Sequence, residues 1–310
     1  MKIILVMLIF CLTLFFYLHV MFHLKTSNDL EIFDINQPTK ETLEDACNLR
    51  QPMRMDFSND TLENMCQRSS ITSKYKTFDV NIRNVEEPLS DTGRAYAPLR
   101  WDNAVNVIDN DDKKKYLIEA NKNFLNETGL SKVYRDCDEF IRPYLTTYSE
   151  YDYITGSNGV QTPFRYDIHY RNYFFVISGG INVKLAPPKS IKYLNTFKDY
   201  HNFEFRSQLN PWNVQDEFLD DLDKIKCLDV RVEKGEILFI PAYWWYSIEL
   251  QENTVVASFK YDSVMSLIST SQHYVMRFLQ SQNIKKQKLP VVDKNSERND
   301  TSTKEIEKLE

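Results

Sequence analysis

The sequence predicts a mainly β body with flanking α-helices, preceded by one N-terminal helix that crosses a membrane. Three observations carry this. No Asp, Glu, Lys or Arg occurs between Ile3 and Leu24. From Gly156 onward, short runs rich in β-branched and aromatic residues alternate with turn residues. On either side of that region, apolar residues recur at helical spacing in Asp111–Leu125 and Ser263–Gln282. The 310 residues are 42% hydrophobic and 13% aromatic, which supports a packed core and excludes a mostly disordered chain. The net charge of -6 and pI near 5.5 leave no basic face for nucleic acid. The one dense basic run, Lys113-Lys114-Lys115, follows Asp109, Asp111 and Asp112 and reads as a solvated turn or helix start.

As a helix rising about 1.5 Å per residue, the uncharged run spans about 30 Å, the thickness of a bilayer core. The rival is a cleaved signal peptide, whose apolar region is shorter and ends in a small-residue site. Here the exit reads His23-Leu24-Lys25-Thr26-Ser27, which favours an uncleaved signal-anchor over residues 1–24. Lys2 precedes the span, while Lys25 is followed by Asp29 and Glu31. The positive-inside rule then places the N-terminus in the cytoplasm and the body in the lumen or outside. Export is compatible with three sequons, at Asn59, Asn126 and Asn299. It also permits two disulfides among Cys47, Cys66, Cys137 and Cys227, in any of three pairings; four buried free thiols are the alternative.

Residues 25–42 are polar and read as a stalk, with a short helix over Glu41–Leu49. Residues 52–100 mix short strands with loops. Asp111–Leu125 reads as a helix with Tyr116, Leu117, Ala120 and Phe124 near one face, and Asp136–Arg142 as a second, stopped by Pro143. Five of the seven glycines (Gly156, Gly159, Gly179, Gly180 and Gly235) punctuate the runs VQTPFRYDI, NYFFVIS, INVKLA, CLDVRVE, EILFIPA, WWYSIEL and TVVASFKY. Such spacing indicates an antiparallel barrel or sandwich. A polar, aromatic-bearing insertion interrupts it at 187–226. Val264, Leu267, Ile268, Tyr274, Val275 and Phe278 form the apolar side of a last amphipathic helix, residues 263–283. The mixed-charge tail, 284–310, is expected to be disordered.

Within the strands lies a motif series: Thr162-Pro163-Phe164-Arg165-Tyr166-Asp167, Asn172-Tyr173-Phe174-Phe175, Gly179, Leu185-Ala186-Pro187-Pro188, and Gly235-Glu236-Ile237-Leu238-Phe239-Ile240-Pro241-Ala242-Tyr243-Trp244-Trp245-Tyr246. The series resembles the cupin-like, JmjC-related family of double-stranded β-helix proteins, whose best-known members are Fe(II)/2-oxoglutarate hydroxylases. The resemblance covers Pro143–Asp262, and more faintly the chain from Glu41, where Leu49-Arg50-Gln51-Pro52 matches the family's first strand. It implies a cupin or jelly-roll barrel over 43–262.

In the enzymes, iron is held by a His-x-Asp pair and a distal His after the Trp-Trp. Here the matching positions are Arg165, Asp167 and Tyr246, and the position of the lysine that binds 2-oxoglutarate is Ile181. A guanidinium has no free lone pair, so Arg165 cannot ligate a cation. The resemblance therefore implies an Arg165–Asp167 ion pair where the metal would sit, with Tyr246 adding a hydrogen bond. Thr162, Asn172, Trp244 and Trp245 are expected to line the cleft. A shifted metal site would use Asp167, His169 and one further ligand, with His201 in the insertion to hand. No G-x-S-x-G, P-loop or G-x-G-x-x-G occurs.

Two functions follow. The first is a membrane-anchored, catalytically silent cupin-like module without cofactor that binds a protein or glycan partner and no nucleic acid. The second is a divergent Fe(II)/2-oxoglutarate-dependent hydroxylase acting on an exported or membrane-proximal substrate. The hydroxylase relatives suggest a homodimer through the C-terminal helix. The chain is also similar to anchored cupin-like proteins of large DNA viruses with Arg at the first ligand position. Its Asn-, Lys-, Ile- and Tyr-rich composition fits an AT-rich genome, which implies a virion or viral-factory membrane.

Overall fold

The computed structural model describes residues 2–87, 95–200 and 202–282. The apolar N-terminal run forms helix α1 (Lys2–Leu24), long and apolar enough to cross a membrane. The polar segment expected as a stalk carries strand β1 (Phe33–Ile35). Helix α2 (Lys40–Asn48) starts where Thr39 Oγ1 accepts from Thr42 N at 3.2 Å. Strand β2 (Met53–Asp56) pairs in parallel with β1. Helices α3 (Asp60–Cys66) and α4 (Arg68–Tyr75), strands β3 (Asp79–Asn84) and β4 (Ala97–Arg100), and helix α5 (Trp101–Asp109) complete the first third.

Two expected helices lie elsewhere. Asp111–Leu125 is a turn, a strand and a short helix. The Asp111 carboxylate accepts from the backbone N–H of Lys113, Lys115 and Tyr116, which holds the chain in a turn. Strand β5 (Tyr116–Ile118) follows, buried at every residue between β3 and the long strand β6 (Thr146–Gly156). Helix α6 (Lys122–Glu127) comes only after Ala120 takes a left-handed backbone. Helix α7 spans Leu130–Cys137 instead of Asp136–Arg142. The Asp138 carboxylate accepts from Tyr151 and Tyr261 hydroxyls at 2.8 and 2.7 Å, anchoring a turn there.

The motif-bearing region supplies β7 (Arg165–Tyr166), β8 (Arg171–Ser178) and β9 (Gly180–Ala186), turning at Gly179. Gly179 has φ 69°, and a Cβ there would run into Thr254 and the Glu252 backbone. The insertion contains β10 (Phe197–Asp199), β11 (Glu204–Arg206) and helix α8 (Leu219–Leu222). Strands β12 (Leu228–Glu233), β13 (Glu236–Pro241), β14 (Trp245–Leu250) and β15 (Val255–Ser263) follow. The expected single C-terminal helix is two, α9 (Val264–Ser269) and α10 (Ser271–Ser281), parted at Thr270. Ser263 and Ser266 cap α9 reciprocally. The predicted tail lies outside the described residues.

The architecture is two sheets with flanking helices; a closed barrel is not seen. The larger runs β1-β2-β13-β8-β15-β6-β5-β3-β4, the smaller β10-β11-β7-β14-β9-β12. Period-two alternation explains the apolar run of β8. Phe174 and Val176 face Ile181, Val183 and Ile248 of the smaller sheet. Tyr173, Phe175 and Ile177 face the helices, in one core with Leu43, Leu62 and Trp101. A third core, including Phe164, Phe205 and Trp245, lies under the insertion.

Candidate functional site

A cavity of about 410 Å³ opens beside β7, with walls from β6, β11, β14, β15 and α10. Its floor is set by register. Arg165 lies opposite Arg206 of β11 on one side and opposite Tyr246 of β14 on the other, so the three form a row across the smaller sheet. Asp167, two residues further on, turns to the same face. The structure thus brings together the three positions that match the iron ligands.

Their partners differ from the expected Arg165–Asp167 pair. Arg165 Nη1 donates to Glu119 Oε2 at 2.5 Å, and its guanidinium lies 5.2 Å from the Tyr246 ring centroid. Asp167 is held from two sides: Lys260 Nζ is 2.8 Å from Oδ1, and Tyr246 Oη donates to Oδ2 at 2.7 Å. Each charge has found its counter-charge on another element. Burial pushes the Asp167 carboxyl up, but Lys260, His169 and the two hydrogen bonds outweigh it and hold it at about 2. The same ion pair overcomes burial to raise the Lys260 ammonium above its ordinary range. Burial and the Asp167 charge keep the Tyr246 phenol protonated.

Behind Arg165 lies a buried charge cluster. Glu119 also takes Arg83 Nη2 at 2.7 Å. Arg206 pairs with Glu204 and donates to Tyr96 Oη at 3.0 Å; Tyr96 Oη in turn donates to Glu204. Three guanidiniums face two carboxylates. Burial and the neighbouring Arg83 lower Arg206 to about 10. Burial would raise Glu119, but Arg165 and Arg83 outweigh it and keep the carboxylate ionised.

These residues do not suit iron. Arg165 offers no lone pair, Tyr246 is a protonated phenol, and both Asp167 oxygens are engaged. His169, the shifted-site candidate, is at 2.6 Å from Asp262 Oδ2 through Nδ1. Asp262 also accepts from Tyr170 N and Ser266 Oγ, so His169 belongs to the cap of α9. Among the described residues, no group of three or more His, Cys, Asp or Glu could hold a metal ion. His201 lies outside the described residues.

The other expected site residues serve the frame. Ile181 is buried on β9 between Val232 and Leu250. Thr162 Oγ1 accepts from Ile248 N at 2.9 Å, and Asn172 Nδ2 donates to the carbonyls of His169 and Ile240. Trp244 and Trp245 fill two of the cores. None of these five lines the cavity. Cys47, Cys66, Cys137 and Cys227 are free thiols, the first two buried and the other two partly buried. Cys47 Sγ is 3.2 Å from Tyr173 Oη, and burial pushes Cys66 up to about 12. Asn59 caps α3 by accepting from Leu62 N, Asn126 is exposed on α6, and Asn299 lies outside the described residues.

Glu119 and Lys260 were missed in the sequence. Lys260 had a signal: it is the one charge in the apolar run TVVASFKY. Glu119 follows the apolar Tyr116-Leu117-Ile118, in a stretch whose apolar spacing reads as a helix.

Comparison with known proteins agrees with this frame. A model of the cupin-like domain matches residues 39–266. The chain is similar to HSPB1-associated protein 1 of Mus musculus and of Rattus norvegicus, at 26% identity over 103 residues in each case. The match covers 33% of this chain, and 21% and 22% of those proteins. The chain therefore spans about a fifth of the length of the curated relatives it matches.

Proposed function

The chain belongs to the cupin-like family, and we propose that it is a membrane-anchored, metal-free member that binds a partner at the cavity instead of oxidising a substrate. One observation carries the reading: Asp167, the one family ligand position that keeps a donor, has both oxygens engaged by Lys260 and Tyr246. An ammonium supplies the positive charge that iron would bring, and the site is electrostatically closed without a metal. The anchor is α1, whose apolar side chains face outward along most of its length. The cavity walls carry charged groups and tyrosines, which suits a polar protein or glycan group.

The test is iron content and co-substrate turnover of purified full-length chain. After loading with Fe(II) under reducing conditions and desalting, elemental analysis should find far less than one iron per chain. Succinate formation from 2-oxoglutarate should stay at the level without protein. Stoichiometric iron that disappears in Asp167→Ala would overturn the proposal. A divergent hydroxylase keeps one observation in its favour, the open cavity at the family's catalytic position with Asp167 and His169 in its wall. That reading requires Asp167 to leave Lys260 and His169 to leave Asp262.

A further inference from the structure

We infer that α9 and α10 rest on the same membrane that α1 crosses, so that the body is held at a set orientation with its cavity beside the lipid headgroups. The inference rests on the reading of α1 as a membrane span.

The junction is not a loose tether. The last turns of α1 pack against α9. Arg50 Nη1 donates to the carbonyls of His23 and Lys25 at 3.1 and 2.9 Å, and its guanidinium lies 4.2 Å from the Phe22 ring centroid. Thr26 Oγ1 adds a hydrogen bond to the Ala242 carbonyl at 3.1 Å. A helix clamped this way carries the bilayer surface to the elements around it.

Those elements expose apolar side chains. On α9, Val264 and Ile268, four residues apart, point outward. Leu145, 89% exposed, immediately precedes Thr146, the ladder partner of Ser263, and so sits at the same corner. On α10, Val275, Phe278 and Leu279 share one side at spacings of three and four, with Phe278 64% exposed. Tyr274 and Arg277, three apart, lie on the flank next to that face and line the cavity. A short amphipathic helix with an exposed apolar face, joined to the helix that packs on the span, has the character of an interfacial helix.

The bilayer is the occupant argued for because α9, with Val264 and Ile268 exposed, packs directly on the last turns of α1. A second copy of the chain is the rival. Single reporter cysteines, Phe15→Cys on α1, Phe278→Cys on α10 and Asp229→Cys on exposed β12, would each carry bimane. Cys11, Cys137 and Cys227 would be replaced by serine, with buried Cys47 and Cys66 kept. The full chain would be reconstituted in phosphatidylcholine vesicles containing doxyl-labelled phosphatidylcholine. The expected result is loss of emission at positions 15 and 278 and none at 229. Quenching at 15 without quenching at 278 overturns the inference and leaves the anchor standing. No quenching at 15 removes the anchor and the inference with it. Protection of 278 from aqueous iodide without doxyl quenching, together with cross-linking between copies, assigns the face to a homodimer and also overturns the inference.

Discussion

Replacing Lys260 by Met tests the electrostatic closure of the site directly. Asp167 falls from an ordinary 3.8 to about 2 despite burial. At ~1.4 kcal/mol per pH unit, that shift corresponds to about 2 kcal/mol of folding stability. A depressed carboxyl contributes above its unfolded value of 3.8 and loses the contribution as pH falls through about 2. Without the ammonium, the largest cause that opposes burial is gone and the folded carboxyl rises from about 2. The variant then carries an uncompensated buried charge at neutral pH, for which we expect a loss of about 3 kcal/mol. Because the neutral acid needs no counter-charge, the loss should shrink as pH is lowered from 7 toward 4.5. The assay is urea unfolding of the detergent-solubilised chain, followed by tryptophan fluorescence. With a slope near 3 kcal/mol per molar, the midpoint at pH 7 should drop by roughly 1 M. The double variant Asp167→Asn/Lys260→Met should recover most of the loss, since removing both partners leaves no orphan charge. A Lys260→Met chain within about 0.5 kcal/mol of the parent at pH 7, with a parallel pH profile, would refute the reasoning.

Other outcomes follow from the same geometry. Register places 165 opposite 246 with 167 on the same face, so Arg165→His/Tyr246→His/Lys260→Ala should gain a divalent metal site. One Co(II) per chain and a melting temperature that rises with metal would show it, and no binding would count against the shared face. Glu119→Gln strips the counter-charge from buried Arg83 and Arg165, and thermal unfolding should report a loss of about 3–5 kcal/mol. Burial would lower His169, but its hydrogen bond and charge pairing with Asp262 outweigh this and raise it above 6.5. That stability is complete below 6.5 and fades as pH rises through the elevated folded value, a slope His169→Asn should lack. Arg50→Ala removes two hydrogen bonds at the α1 junction. With about 1–2 kcal/mol lost there, tryptic cleavage after Lys25 should quicken about tenfold.

The chain's local pattern was enough for much of this. An uncharged run of bilayer length determined α1, because hydropathy is a property of consecutive residues. Glycine-punctuated β-branched runs determined β8, β9 and β12 to β15, though not β10 and β11 inside the insertion, and the motif series located positions 165, 167 and 246 before any geometry was known. Where a segment's state depended on distant strands, local pattern misled. Tyr116–Ile118 has an apolar spacing that fits a helix, yet it is a strand because β3 and β6 leave a gap that only a doubly buried strand fills. The same holds for the charges. Arg165 and Asp167 are two residues apart and suggested each other as partners. Their counter-charges, Glu119 and Lys260, lie 46 and 93 residues away in sequence. Sequence spacing says which face of a strand a charge occupies, while its partner is decided by which other elements the two sheets bring to that face. Coulomb attraction at under 3 Å in a buried site then outweighs any preference for a neighbour along the chain.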